Sequence, residues 1–479
     1  MNSILVGLIG YLVLVLVVGF VTYRFMGTLD DFLLGGRRLG AALIAFSERA
    51  SGESAWFLLG LPGLAFVSGF SAYWTVIGCA AGIFLTWTLI AKRLRVATGR
   101  YGALTIPDYL EARFQDQSHL LRIVATLIIL VFYTVYLGAQ FIGAGKVLNA
   151  TFGLDTRTGM ILGALVVMFY TFMGGFLAVV WTDLIQGLLM VFVAVVLPVL
   201  GILEIGGWHT VVQNLQNLNP ALLDIGGGKT GQALLLGLVI GSLGIGLGYM
   251  GQPHLLVRYM AIKSAHEVRR GVLVAMLWVL LAYWGAALIG IVGVAYLGPH
   301  GVADPEHLMP HLARVLFPGW FAGIVISGAI AAMMSTADSQ LLVVTSAVVE
   351  DIYRKLMNAA ASQRTLVVLS RAVTVVVTVL ALLLAVYAKQ LIYWLVLYAW
   401  AGLGASFGPA ILLSLWWKRV TRAGVLAGLI TGTVVTLVWY NVPALKGLVY
   451  ELVPAFLASL LAVWLVSLAT QAPEARPAS

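Results

Sequence analysis

Residues 3–23 read SILVGLIGYLVLVLVVGFVTY, 21 positions without one charged side chain, and runs of that kind recur along the chain. An α-helix rises 1.5 Å per residue, so about 20 apolar residues cross the roughly 30 Å of hydrocarbon in a bilayer. Lipid offers the backbone no hydrogen-bond partner, which leaves helices and closed barrels as the only spanning structures. Barrel strands alternate apolar and polar residues over about ten positions, whereas these runs are continuous. The expected fold class is therefore an all-α membrane protein. Composition agrees: 10% of the 479 residues are charged and the mean hydropathy is +1.01, where a soluble domain carries roughly 25% charged residues.

Thirteen candidate spans follow, near 3–23, 40–67, 71–91, 123–146, 159–178, 183–203, 231–253, 271–297, 316–345, 368–388, 391–416, 424–440 and 450–470. The first lacks a basic leader and a small-residue cleavage site, so it reads as a true helix. The net charge of +9 does not point to nucleic acid, because the basic residues sit in short loops rather than beside aromatics on a soluble domain. With the N-terminus outside, 21 of the 28 basic residues fall on the inner side (Arg24, Arg37, Arg38, Arg122, Arg258 and Arg476 among them). Six fall outside, Lys146, Lys229, Lys389 and Lys446 included, and Arg49 lies within a span. That asymmetry predicts an outside N-terminus, a cytoplasmic C-terminus and an odd number of spans. A single cysteine, Cys79, supports neither a disulfide framework nor a metal site. No zinc motif, nucleophile elbow or His/Asp/Ser set is present, and the histidines sit singly, so no enzyme is expected.

Two spans carry breaks. SERASGESAWFLLGLPG (47–63) and GSLGIGLGYMGQP (241–253) are rich in Gly and Pro and lie five spans apart, as two inverted five-helix repeats require. Broken helices at matching positions expose carbonyls to a cation and helix N-termini to a carboxylate, the usual site of solute binding in secondary transporters. Small residues can also serve only close helix packing. Ionisable groups at membrane depth are functional candidates: Glu48, Arg49 and Glu53 beside the first break, Asp183 opening the sixth span, and Asp338 late in the ninth. Arg49 and Glu53 are four apart and can pair on one face. In MMSTADSQ (333–340), Ser335, Thr336 and Ser339 join Asp338, an oxygen set suited to a hard monovalent cation.

These motifs, with DDFLLGGRRLG, LTIPDYLEARF, YTFMGGFLAVVWTD, GLGYMGQPHLLVRYMA, MSTADSQLLVVTSAVVEDIY and YAWAGLGASFGP, carry a resemblance that runs nearly end to end. The chain resembles the sodium:solute symporters, and within them the branch that carries proline. The resemblance implies a thirteen-helix protein with an inverted-repeat, leucine-transporter-like core in spans two to eleven. Residues 1–39 would then form a first helix and loop, 40–416 the core, 417–470 the last two helices and 471–479 a cytoplasmic tail. It implies sodium as co-substrate and no cofactor. The sodium site would use Ala50, Glu53, Ala332, Ser335 and Thr336. A second sodium site, present in some members, would fall at Asp183, Ser335, Asp338 and Ser339. The solute pocket would match Ser54, Trp56, Gly60, Tyr136, Tyr249 and Pro253, an aromatic wall with a few hydroxyls that suits a small zwitterion with an apolar ring.

The expected activity is import of a small organic solute, L-proline or a related amino acid, across the plasma membrane by alternating access. The partners are that solute, sodium and the bilayer, and the oligomeric state is left open. Two departures from the family pattern set alternatives. An acidic residue is expected at Gly52 but stands one step later at Glu53, beside Arg49; these two are the coupling candidates, and a proton-coupled or sodium-independent carrier is the rival on the same fold. Ile245 replaces a tryptophan, which predicts a larger pocket with one wall missing. A solute-sensing protein with little transport is the rival from another class.

Overall fold

The computed structural model describes residues 2–23, 34–173, 176–387 and 391–471. Arg24, Lys389 and Arg476 of the charge comparison, and the tail from 472, lie outside them. The α-helices of eight or more residues are α1 (Asn2–Tyr23), α2 (Ala41–Ala55), α3 (Leu61–Ser68), α4 (Tyr73–Leu85), α5 (Lys92–Tyr101), α6 (Ile106–Phe114), α7 (Leu120–Phe152), α8 (Thr156–Met173) and α9 (Phe176–Ile205). They continue as α10 (Trp208–Leu218), α11 (Pro253–Ala261), α12 (Val268–Leu297), α13 (Leu308–Leu316), α14 (Gly319–Ser346), α15 (Gln363–Tyr387), α16 (Ile392–Trp416), α17 (Arg422–Asn441) and α18 (Leu452–Ala469). Among the described residues no strand forms; Leu39 and Ile262 make one isolated bridge.

Eleven runs among the described residues are long and apolar enough to cross a membrane, and the shorter apolar helix Thr156–Phe169 stands near the expected fifth span. One run, Ala41–Tyr101, covers 61 residues and would be about 90 Å long if straight. It is folded back instead: Trp87 Nε1 donates to Glu48 Oε2 across 3.0 Å. The chain reverses at Gly69, whose φ is +61° and where a Cβ would stand 2.2 Å from the Leu222 carbonyl oxygen, so only glycine fits. The run therefore holds the second and third expected spans.

The sixth span starts earlier than expected. Helix α9 begins at Phe176 rather than near 183. Asp183 thus sits two turns inside the helix and is fully buried, not at a wetted helix end. Asp338 is likewise enclosed within α14. The most enclosed spans are Gly319–Met357 and Ile392–Trp416, 78% and 83% buried, whereas the windows containing α1 and α15 are each 28% buried and have room to face lipid. The centre of the bundle is therefore α14 and α16, with α2, α7 and α9 packed around α14.

Both glycine-rich segments break, but differently. In α2, Ser54 takes φ 59° and ψ −175°, which stops the helical ladder within the long apolar run. The Ala55 amide donates to Gln140 Oε1 on α7 at 2.9 Å instead. In the second segment, Ile245–Gly251 is a tightly wound helix and the interruption falls at Gln252, extended at φ −87° and ψ 106°. Its glycines also serve packing: a Cβ on Gly246 would lie 2.1 Å from the Gly78 carbonyl oxygen, and one on Gly82 2.1 Å from that of Gly246.

Candidate functional site

Four of the six expected pocket residues line one cavity. Ser54, Trp56, Tyr136 and Tyr249 meet there with Glu53 and Trp400. Gly60 lies one turn beyond, against Tyr393, and Pro253 lines a different cavity beside Arg258 and Ser339. The pocket expected to be enlarged at Ile245 is about 20 Å³, enough for one water. Trp400 on α16 borders it. Its indole Nε1 donates to the Ile245 carbonyl at 3.0 Å, and its rings lie 4.6 Å from that of Tyr249, edge to face. A cavity of about 540 Å³ runs between residues 233–245, 391–397 and 446–451, and it shares Ile245 and Leu397 with the small pocket.

The expected sodium residues converge beside the break. Ser335 Oγ donates to the carbonyls of Ala50 (2.9 Å) and Ala332 (3.2 Å). Thr336 Oγ1 donates to the Ser51 carbonyl at 2.9 Å. The Glu53 carbonyl is turned to the Trp56 amide. A hydroxyl has two lone pairs besides its proton, so Ser335 and Thr336 can present oxygen to a cation once the hydroxyls rotate. Polar side chains that the sequence reading did not assign to the site hold this region. His254 Nε2 faces the Ser51 carbonyl at 3.2 Å and its Nδ1 faces Tyr133 OH at 2.8 Å. The acceptor opposite Nε2 assigns the proton to that nitrogen. His254 is buried.

The second expected set, Asp183, Ser335, Asp338 and Ser339, also converges, and a guanidinium stands among it. Arg258 Nη2 donates to Asp183 Oδ2 (3.0 Å), Ser339 Oγ (2.6 Å) and Ser51 Oγ (2.5 Å). Its Nε donates to Ser47 Oγ at 2.8 Å and its Nη1 to the His254 carbonyl at 2.6 Å. Ser47 Oγ donates to Asp183 Oδ2 at 2.6 Å. Arg258 thus ties α2, α9, α11 and α14 together from a buried position. Counting it as an inner loop residue was wrong, as it was for Arg122, which is buried in the first turn of α7. The available signal was an arginine inside the apolar helix PHLLVRYMA; charge counting sees sequence position, not burial.

Beside the first break the predicted Arg49–Glu53 pair forms at 3.2 Å. Arg49 also grips Glu48 through Nε at 2.6 Å and through Nη2. Glu48 further accepts from Tyr259 OH at 2.8 Å. All three charges are fully buried.

Ion clusters close both ends of α7. At one end Arg122 binds Glu111 (2.7 Å), Asp108 (2.8 Å) and Asp351 (2.6 Å). At the other, Lys146 binds Asp304 (2.6 Å) and Glu306 (2.5 Å). Glu306 also accepts the amides of Ile392 and Tyr393 at 3.2 and 3.0 Å, capping α16. Partial burial alone would raise the Asp304 carboxyl; the bonded Lys146 ammonium holds it below the ordinary carboxylate range. The two clusters are 24 residues apart along α7, about 36 Å, so the site lies between two closures. A cavity of about 20 Å³ links Arg258 and Ser339 to Thr105 and Asp351 at the Arg122 end.

Comparison with known proteins agrees with this geometry. Residues 32–432 match the profile of the Sodium:solute symporter family. The chain is 42% identical over 462 residues to the high-affinity proline transporter PutP of Bacillus subtilis, covering 96% of each. It is 40% identical over 472 residues to the sodium/proline symporter of Escherichia coli, covering 97% of this chain and 93% of that one. Among solved structures, a Na+-coupled sialic acid symporter in a substrate-bound outward-open state superposes with a TM-score of 0.81 at 22% identity, over 98% of both chains. MhsT in complex with L-phenylalanine superposes with a TM-score of 0.57 at 13% identity, covering 90% of this chain and 98% of that one.

Proposed function

This chain belongs to the sodium:solute symporter family, and from that premise we propose that it couples sodium entry to uptake of L-proline or a closely related amino acid. It is an integral membrane protein with sodium and a small solute as its partners. The observation that carries the reading is the meeting of two oxygen-bearing elements at the break of α2. Ser335 and Thr336 on α14 reach the Ala50 and Ser51 carbonyls, and the aromatic cavity is lined by the residues that follow at once, Gly52, Glu53 and Ser54. A cation held there draws α2 to α14 and fixes the backbone on which Ser54 and Trp56 stand. Cation and solute then bind cooperatively, each stabilising the arrangement that the other needs.

Alternating access supplies the transport step. Opening the Lys146 end admits solute and sodium, and opening the Arg122 end releases them. The membrane potential contributes about 2.3 kcal/mol per charge per 100 mV. The excess of basic residues predicts that the Arg122 end faces the cytoplasm of the plasma membrane, with the N-terminus outside.

Sodium-dependent binding of labelled proline to the purified protein tests the ion site. Ser335→Ala is expected to raise the sodium concentration for half-maximal binding by roughly 10–100-fold, with proline affinity at saturating sodium changed much less. An unchanged sodium dependence would remove Ser335 from the ion site.

A further inference from the structure

The buried charge beside the pocket does not balance. Glu48 and Glu53 bring two carboxylates and Arg49 one guanidinium, all fully buried. Glu48 is saturated, accepting from Arg49, Trp87 and Tyr259. Glu53 is not: Oε1 accepts from Arg49 Nη1 at 3.2 Å, and Oε2 is buried without a hydrogen bond of ordinary length among the described residues, the neutral Tyr283 hydroxyl acting on this carboxyl as a further donor. The surplus negative charge therefore rests on an oxygen whose residue lines the aromatic cavity with Ser54, Trp56, Tyr136 and Tyr249. A bare carboxylate in such surroundings is costly and calls for a cation.

We propose that the Glu53 carboxylate determines solute specificity: its free oxygen receives the substrate's ammonium, so the site takes α-amino and imino acids and rejects carboxylates of the same shape that lack a charged amine. This deepens the reading of the pocket as an amino-acid site and rests on it. Sodium is the poorer occupant of this position. It needs several oxygen ligands, whereas besides Glu53 the side-chain oxygens lining this cavity are the neutral hydroxyls of Ser54, Tyr136 and Tyr249, among Trp56, Trp400 and the Cys79 thiol. The carbonyl and hydroxyl oxygens gather one turn away, around Ser335 and Thr336. Arg49 meets Glu53 at Oε1 through Nη1 and turns Nε and Nη2 to Glu48, so its one positive charge is shared between two carboxylates. A substrate ammonium brings one positive charge and N–H donors, and aromatic faces favour it further. The solute would complete a pair that the protein leaves half made, so an uncharged analogue leaves the carboxylate stranded.

Competition against labelled L-proline uptake in sodium-driven proteoliposomes tests this. The probe is tetrahydrofuran-2-carboxylate, which keeps the ring and carboxylate and replaces the ammonium by an ether oxygen. Wild type is expected to prefer proline by at least about 100-fold, as a site built around a missing partner does. Equal competition would overturn the proposal without any variant. Glu53→Gln is expected to weaken proline by on the order of 100-fold and to shrink the preference to a few-fold. Glu53→Asp, which keeps the charge, is expected to retain the preference with slower uptake. A Glu53→Gln protein that keeps the full preference would overturn the proposal. So would one that keeps it while losing a pH dependence present in wild type, which would make Glu53 a proton carrier. Wild type that accumulates no α-amino or imino acid would overturn the functional reading as well, a result distinct from uptake without discrimination.

Discussion

Arg258→Ala is expected to abolish solute uptake and to lower the melting temperature of the purified protein. The guanidinium makes five hydrogen bonds to four elements. Its removal leaves Asp183 buried with only the hydroxyls of Ser47 and Ser51. Stranding one member of a buried pair costs about 3–5 kcal/mol, whereas replacing both members by apolar groups is often close to neutral. The double variant Arg258→Met with Asp183→Leu is therefore expected to recover most of the stability while remaining inactive. That split between melting and uptake separates a cost of stranded charge from a role in the moving centre. An Arg258→Ala protein with wild-type melting and uptake would show that the four-element tie is dispensable.

Arg122→Ala is the second large effect. Arg122 joins Asp108 and Glu111 on α6 to Asp351 beyond α14, and Thr105 also donates to Asp351 at 2.8 Å. Removing it leaves the fully buried Asp351 with only the Thr105 hydroxyl, again at about 3–5 kcal/mol, while Asp108 keeps Lys355 at 3.7 Å and Glu111 keeps His119 at 3.0 Å; it also unlocks one end of the bundle. The cavity between Asp351 and Arg258 is closed down to about 20 Å³; opening that end should wet it. A cysteine placed at Ser346, which lines that cavity, in a Cys79→Ser background is expected to react faster with a small maleimide when Arg122 is alanine. Accumulation of solute should fall with it, because a pathway open at that end leaks. Arg122→Lys should rescue only partly, since an ammonium cannot reproduce the guanidinium fork. Unchanged labelling would mean that the cluster does not hold this end shut.

The spans, the first break and the hydroxyls that meet it were legible because each rests on local pattern. Continuous apolar runs mark helices, Gly and Pro near Ser54 mark the break, and MMSTADSQ concentrates oxygen where an apolar helix should have none. What the sequence did not show depends on which helix comes to lie against which. Arg258 read as a loop charge because five apolar neighbours in PHLLVRYMA say nothing about an aspartate 75 positions earlier. Trp400 could not be placed beside Ile245 by any spacing rule, since 155 positions separate them. Asp183 was set at a helix end because the apolar run seemed to start there, whereas α9 had already begun at Phe176. Arg49 and Glu53 were found as a pair by their spacing of four. Only the fold shows that Arg49 is shared with Glu48 and that Glu53 lines the aromatic cavity.

The central claim is that sodium drives solute through this site. The direct test is uptake of labelled L-proline by proteoliposomes of the purified wild-type protein under an inward sodium gradient, with potassium in place of sodium as the control at the same pH. The account predicts accumulation above the external concentration that collapses when a sodium ionophore dissipates the gradient. Accumulation of the same size in potassium, or proline that only equilibrates under the sodium gradient, would contradict it.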